Sequence, residues 1–125
     1  VIETRPVFLN LLKIRLPITG VVSIAHRISG VLLFLAIPFA VYLLDLSASS
    51  AGSFEQSLRL LQHPLSQLLL ILIVWAFSHH LLAGIRYLLL DLDIGVDKAG
   101  SRLSSWAVLV AELGIVAVFA WSVLL

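Results

Sequence analysis

The chain has 125 residues, of which 61% are apolar and 12% charged, and its mean hydropathy is +1.12. A soluble domain carries about a quarter charged residues, so this composition excludes that class and marks an integral membrane protein. The net charge of +1 says little about partners and nothing points to nucleic acid, while the absence of cysteine excludes disulfides, thiolate-bound iron–sulfur clusters and covalently attached haem.

Residues 1–19 interleave Glu3, Arg5, Lys13 and Arg15 with apolar residues. They lack the apolar core and small-residue cleavage site of a signal peptide, so no cleaved leader is expected. The segment reads as an interfacial arm, either anchored against lipid headgroups or docked on a soluble partner.

Three charge-poor runs follow, over residues 20–46, 64–86 and 103–125. Each can cross about 30 Å of hydrocarbon at about 1.5 Å per residue. Backbone groups in lipid must satisfy one another, so all three are predicted to be helices of one all-α domain. Pro38 removes a backbone donor within the first span and is expected to bend it.

The first span carries Ser23, His26, Arg27 and Gly30 at i, i+3, i+4 and i+7, a single helical stripe. A hydroxyl, an imidazole and a guanidinium therefore face one neighbour, and Gly30 admits a close approach. Arg27 lies about two turns deep, where it either serves a site or snorkels to phosphates. The connection over residues 45–63 is rich in Ser and Gly, with a short helix predicted from Phe54 to Leu61.

The second span contains His79 and His80, with His80, Gly84 and Tyr87 on one stripe at i, i+4 and i+7. Either histidine can ligate haem iron, but adjacent residues diverge by about 100°, so both cannot serve one iron. His80 lies about 9 Å inside the membrane end marked by Arg86, and His26 is at similar depth. Haem propionates between the two helices would reach His26 and Arg27; alternatively His26 is itself a second axial ligand.

The second connection, residues 91–102, carries Asp91, Asp93 and Asp97, read as solvated loop charges. In the third span Glu112 falls about 14 Å deep. It is read as a protonated or paired acid bonded to a partner helix, with a proton path as the alternative. Four Lys and Arg precede or begin the first span, one (Arg59) lies in the first connection, and three (Arg86, Lys98, Arg102) mark the second. The positive-inside rule then places the N-terminus in the cytoplasm and the C-terminus outside.

The run Arg5-Pro6-Val7, then Ser23-x-x-His26-Arg27-x-Ser29, then His80-x-x-x-Gly84-Ile85-Arg86 followed by Asp91, resembles the cytochrome b556 membrane-anchor subunits of succinate dehydrogenase, respiratory complex II. The resemblance extends from Arg5 to the end of the third span. It implies a three-helix anchor forming half of a heterodimeric helix bundle in the bacterial inner membrane, with the C-terminus periplasmic. The partners implied are a second anchor, an iron–sulfur subunit and a succinate-oxidising flavoprotein, so this chain alone would not carry the succinate site.

By the same resemblance, His80 is the axial ligand of a haem b shared with the second anchor, which supplies the other histidine. Ser23 and Arg27, with Ile24, are implied to contact ubiquinone, and His26, Arg27, Gly30, Gly84 and Tyr87 to contact the haem or its propionates. Tyr87 stands where histidine or phenylalanine is common in that family. The alternatives are a fumarate reductase anchor running the same chemistry in reverse, a haem-free structural anchor, and a proton conductor using Glu112, His79 and His80.

Overall fold

A computed structural model describes residues 15–124. The N-terminal arm with Glu3, Arg5, Pro6 and Lys13, and the final Leu125, lie outside the described residues. Four helices follow in order: α1 (Ile18–Ser49), α2 (Ala51–Gln62), α3 (Pro64–Asp91) and α4 (Lys98–Leu124). By length and composition α1, α3 and α4 are long and apolar enough to cross a membrane. At about 1.5 Å per residue each exceeds the roughly 30 Å hydrocarbon thickness, so their ends reach the headgroup region or the helices tilt.

Pro17 starts α1 in extended conformation, and its carbonyl accepts from the backbone N–H of Gly20 and Val21. The helix then runs unbroken through Pro38. It also continues into the Ser-rich stretch, because the hydroxyls of Ser47 and Ser49 donate back to the carbonyls of Leu44 and Asp45 instead of breaking the turn. Ser50 interrupts it and caps α2, its Oγ accepting from Ser53 N–H at 3.1 Å. The helix predicted from Phe54 to Leu61 is thus longer at both ends. Arg59 pairs with Glu55 at 3.7 Å on its exposed surface, an i,i+4 contact of small energetic weight.

His63 caps α3, its Nδ1 accepting from Leu65 N–H at 3.3 Å, with Pro64 in the first turn. At the far end, Ile94 N–H donates to Leu89 and Asp93 N–H to Leu90, with Asp93 at φ 60°. That is a Schellman cap with aspartate at the left-handed position glycine favours. Asp93→Gly is expected to stabilise the folded chain by about 1 kcal/mol, seen as a higher midpoint in thermal unfolding in detergent. No change would mean that the Asp93 side chain compensates for its backbone.

Asp97 is exposed in the connection, as expected of a solvated loop charge, and it also caps the start of α4. Its Oδ2 accepts from Gly100 N–H at 3.0 Å and its carbonyl from Ser101 N–H at 2.9 Å. A Cβ at Gly100 would lie 2.6 Å from the Asp97 carboxylate and 3.2 Å from Gly95 Cα, so the turn closes only without a side chain there.

α3 is the central helix, with α1 and α4 packed on it and α2 leaning mainly on α1. The interior is inverted relative to a soluble protein. Its apolar part is small, Val22, Ala83 and Val108 backed by Leu82, Tyr87 and Leu109, while His79, Arg86, Ser105 and Glu112 are also buried. Large apolar residues such as Phe34, Phe39, Leu68, Val118 and Trp121 are exposed. In water that surface would aggregate; against lipid or a second apolar subunit it is what the bundle requires.

Candidate functional site

The adjacent histidines of α3 begin two parallel stripes. His79, Ala83 and Arg86 recur at i, i+4 and i+7, and all three are buried. His80, Gly84 and Tyr87 recur with the same spacing one position later, on the side facing α1.

His79 has no exposed surface, and both ring nitrogens are engaged. Nδ1 is hydrogen-bonded to Glu112 Oε2 on α4, and Nε2 lies 3.2 Å from the carbonyl of Val22 on α1. A carbonyl only accepts, so Nε2 carries a hydrogen and Nδ1 shares one proton with the Glu112 carboxyl. This one imidazole therefore ties α1, α3 and α4 together near the middle of the bundle. Glu112 finds its partner inside the same chain, and neither nitrogen of His79 is left for a metal.

Seven residues on, Arg86 enters the same interior. Its Nε donates to Ser104 Oγ at 3.0 Å, and its Nη2 to Ser101 Oγ at 2.9 Å and to the Ser101 carbonyl at 3.2 Å. The guanidinium also lies 5.4 Å from the Tyr87 ring centroid. Read from sequence as a charge marking the membrane boundary, Arg86 is instead a buried clamp on the first turns of α4. Its separation of seven from His79 is the signal that places both on one face.

On the second stripe, the His80 and His26 rings stack with centroids 4.1 Å apart and planes 7° from parallel. The Tyr87 and His26 rings meet edge to face, with centroids 5.2 Å apart. Gly30 makes room for the His80 ring, since a Cβ there would lie 3.1 Å from His80 Cε1, whereas one at Gly84 would meet His26 Nε2 at 3.7 Å, an ordinary contact. His26 thus lies over Gly84, a residue that the resemblance implies to contact the haem. Side-by-side stacked rings do not oppose each other across a metal, so this arrangement does not present His26 and His80 as two axial ligands of one iron.

His80 Nδ1 lies 3.2 Å from both Ser29 Oγ and the His26 carbonyl, whereas Nε2 has no hydrogen-bond partner among the described residues. Ser29 is fully buried and was singled out in the sequence only as part of a motif. The Tyr87 hydroxyl is buried with no partner among the described residues, an orphan that a polar group of a ligand would satisfy.

The predicted stripe on α1 is divided by the packing. His26 and Gly30 turn to α3, Ser23 is half-buried at the edge, and Ile24 and Arg27 are exposed. Among the described residues Arg27 makes no ion pair. Histidine, glycine and tyrosine therefore meet in the bundle, while Ser23, Ile24 and Arg27 border it on the outer surface of α1.

The chain is similar to known proteins over most of its length. Residues 2–119 match the family model for the succinate dehydrogenase/fumarate reductase transmembrane subunit. The chain is 39% identical over 109 residues to the succinate dehydrogenase cytochrome b556 subunit of Coxiella burnetii, covering 86% of this chain and 87% of that one. It is 30% identical to the corresponding subunit of Paracoccus denitrificans, covering 87% and 84%. Sequence match, three apolar helices and a polar site buried between them agree: the chain belongs to the succinate dehydrogenase/fumarate reductase transmembrane subunit family.

Proposed function

We propose that this chain is the haem b-binding membrane anchor of a succinate:ubiquinone oxidoreductase, with His80 as its axial ligand and Ser23, Ile24 and Arg27 as its share of the quinone site. The observation that carries the reading is the unequal engagement of the two adjacent histidines. Among the described residues His79 has both nitrogens occupied by protein, while His80 keeps Nε2 without a partner on the stripe that also holds the orphaned Tyr87 hydroxyl. A nitrogen with a free lone pair and a nearby unmatched polar group suit a haem whose other histidine comes from a second anchor subunit.

The bound haem would supply a one-electron redox centre between the anchors. His26, stacked on His80, and Tyr87 beside it would meet the propionates, with Gly30 setting how closely α1 approaches the His80 ring and Gly84 lying against His26. Arg27 and Ser23 would act on quinone from the adjoining edge. Reduction to quinol adds two electrons and two protons, and charge developing on a carbonyl oxygen is stabilised by a guanidinium and a hydroxyl. Electrons would arrive from a flavoprotein through an iron–sulfur subunit docked on the cytoplasmic side.

Orientation follows from charge. With Arg86 removed from the count because it is buried, Lys98 and Arg102 still exceed Arg59. The N-terminus and the α3–α4 connection then face the cytoplasm and the C-terminus the periplasm.

The test is a visible difference spectrum of the intact complex purified through this chain, reduced first by succinate and then by dithionite. A b-type band appearing with succinate is expected. No band in an intact complex would overturn the haem assignment. Arg27→Leu is expected to lower succinate-driven quinone reduction at least about tenfold while sparing succinate oxidation by an artificial acceptor. Equal loss of both activities would remove Arg27 from the quinone site and assign it to assembly.

A further inference from the structure

We infer that Ser29, together with the backbone carbonyl of His26, fixes the tautomer of His80 and tunes the iron bound to it, making Ser29 a positioning residue for the redox centre. The inference rests on the reading of His80 as the iron ligand and extends it to a residue that touches neither iron nor quinone.

The hydrogens around His80 Nδ1 can be assigned. Ser29 Oγ lies 2.8 Å from the His26 carbonyl, which only accepts, so the hydroxyl hydrogen points at that carbonyl. Its proton committed, Ser29 Oγ faces His80 Nδ1 as an acceptor at 3.2 Å. The His26 carbonyl itself lies 3.2 Å from the same nitrogen. Both neighbours of Nδ1 therefore accept, so Nδ1 must bear the hydrogen, and in the neutral imidazole Nε2 is left as the lone-pair nitrogen. One turn of α1 thus presents His80 in the tautomer that binds metal.

Burial makes the arrangement stable. Ser29 is fully buried, so water does not compete for its hydroxyl. Gly30 brings α1 so close that a Cβ there would press on His80 Cε1 at 3.1 Å, which limits how far the ring can swing from its acceptors. An acceptor on Nδ1–H raises the electron density that the imidazole offers at Nε2, and this favours the oxidised metal. Removing the acceptor should therefore raise the reduction potential.

The experiment compares the purified wild-type complex with Ser29→Ala and Ser29→Thr by haem content and by spectroelectrochemical titration of the b-type band. Ser29→Ala is expected to retain haem and to shift its ferrous-to-ferric ratio about threefold at a fixed potential, an upward move of about 30 mV at 59 mV per tenfold. Ser29→Thr, which keeps the hydroxyl, is expected to return the potential to the wild-type value. An unchanged potential in Ser29→Ala would overturn the role of Ser29 while leaving the haem reading intact; a wild-type complex without a b-type band would overturn that reading itself. If the alanine variant does not assemble, Ser29→Cys decides, since a thiol of similar size is a weaker acceptor. Its potential should also rise, and no rise would overturn the inference.

Discussion

His80→Leu in the assembled complex is expected to produce the largest loss of bound haem of any single change, roughly tenfold or more. Loss of a group that merely supports a metal ligand costs about 10–100-fold in affinity, and loss of the ligand itself should cost no less. His79→Leu is expected to keep haem content and the b-type spectrum, because both His79 nitrogens already bond to Glu112 and Val22. Quantifying haem per complex in the two variants decides between them. The opposite pattern, haem lost with His79 and kept with His80, would transfer the ligand role to His79 and require the interior link to open.

The cost of His79→Leu should appear in stability. Its removal leaves the Glu112 carboxyl buried without a partner, and Glu112→Leu leaves Nδ1 of His79 equally unmatched. An unsatisfied buried polar group costs about 1–3 kcal/mol, more where charge is involved. An interhelical hydrogen bond in a membrane protein is itself worth only about 0.6 kcal/mol on average. The penalty in each single variant is thus mainly the orphaned partner, which the double variant His79→Leu/Glu112→Leu removes. The double variant is therefore expected to be at least about 1 kcal/mol more stable than the sum of the single losses predicts, read from thermal unfolding of the purified complex. Strict additivity would show that the two residues do not act as a pair. Glu112→Gln should sustain quinone reduction, because the link to His79 serves to hold three helices; a selective loss of turnover with stability unchanged would support a proton path instead.

Three charge-poor runs, each long enough to cross a bilayer, determined an all-α membrane protein from the sequence alone, since lipid offers a backbone no other partner than its own helix. The spacing of His26, Gly30, His80 and Gly84 likewise determined that imidazoles and small residues would meet between the first and second spans, because helical periodicity fixes which residues share a face. The family resemblance was legible in the same positions, and the family match over residues 2–119 agrees with it.

Local pattern stopped short at the choice between neighbours. His79 and His80 differ by one position and have the same chemistry. Only the packing of α1 and α4 on α3 shows that the first has both nitrogens bonded within the bundle and the second has one without a partner among the described residues. Arg86 looked like a boundary charge because a sequence records depth but not direction; the side chain turns inward to Ser101 and Ser104. Asp97 reads as a solvated acid and is exposed, but its capping role was not legible because it depends on the turn that brings Gly100 to it. Ser29 was one serine in a motif until the chain folded back and brought His80, 51 positions further on, to 3.2 Å from its hydroxyl. Periodicity decides faces along one helix, whereas hydrogen bonds between helices depend on rotation and register that only three-dimensional packing sets.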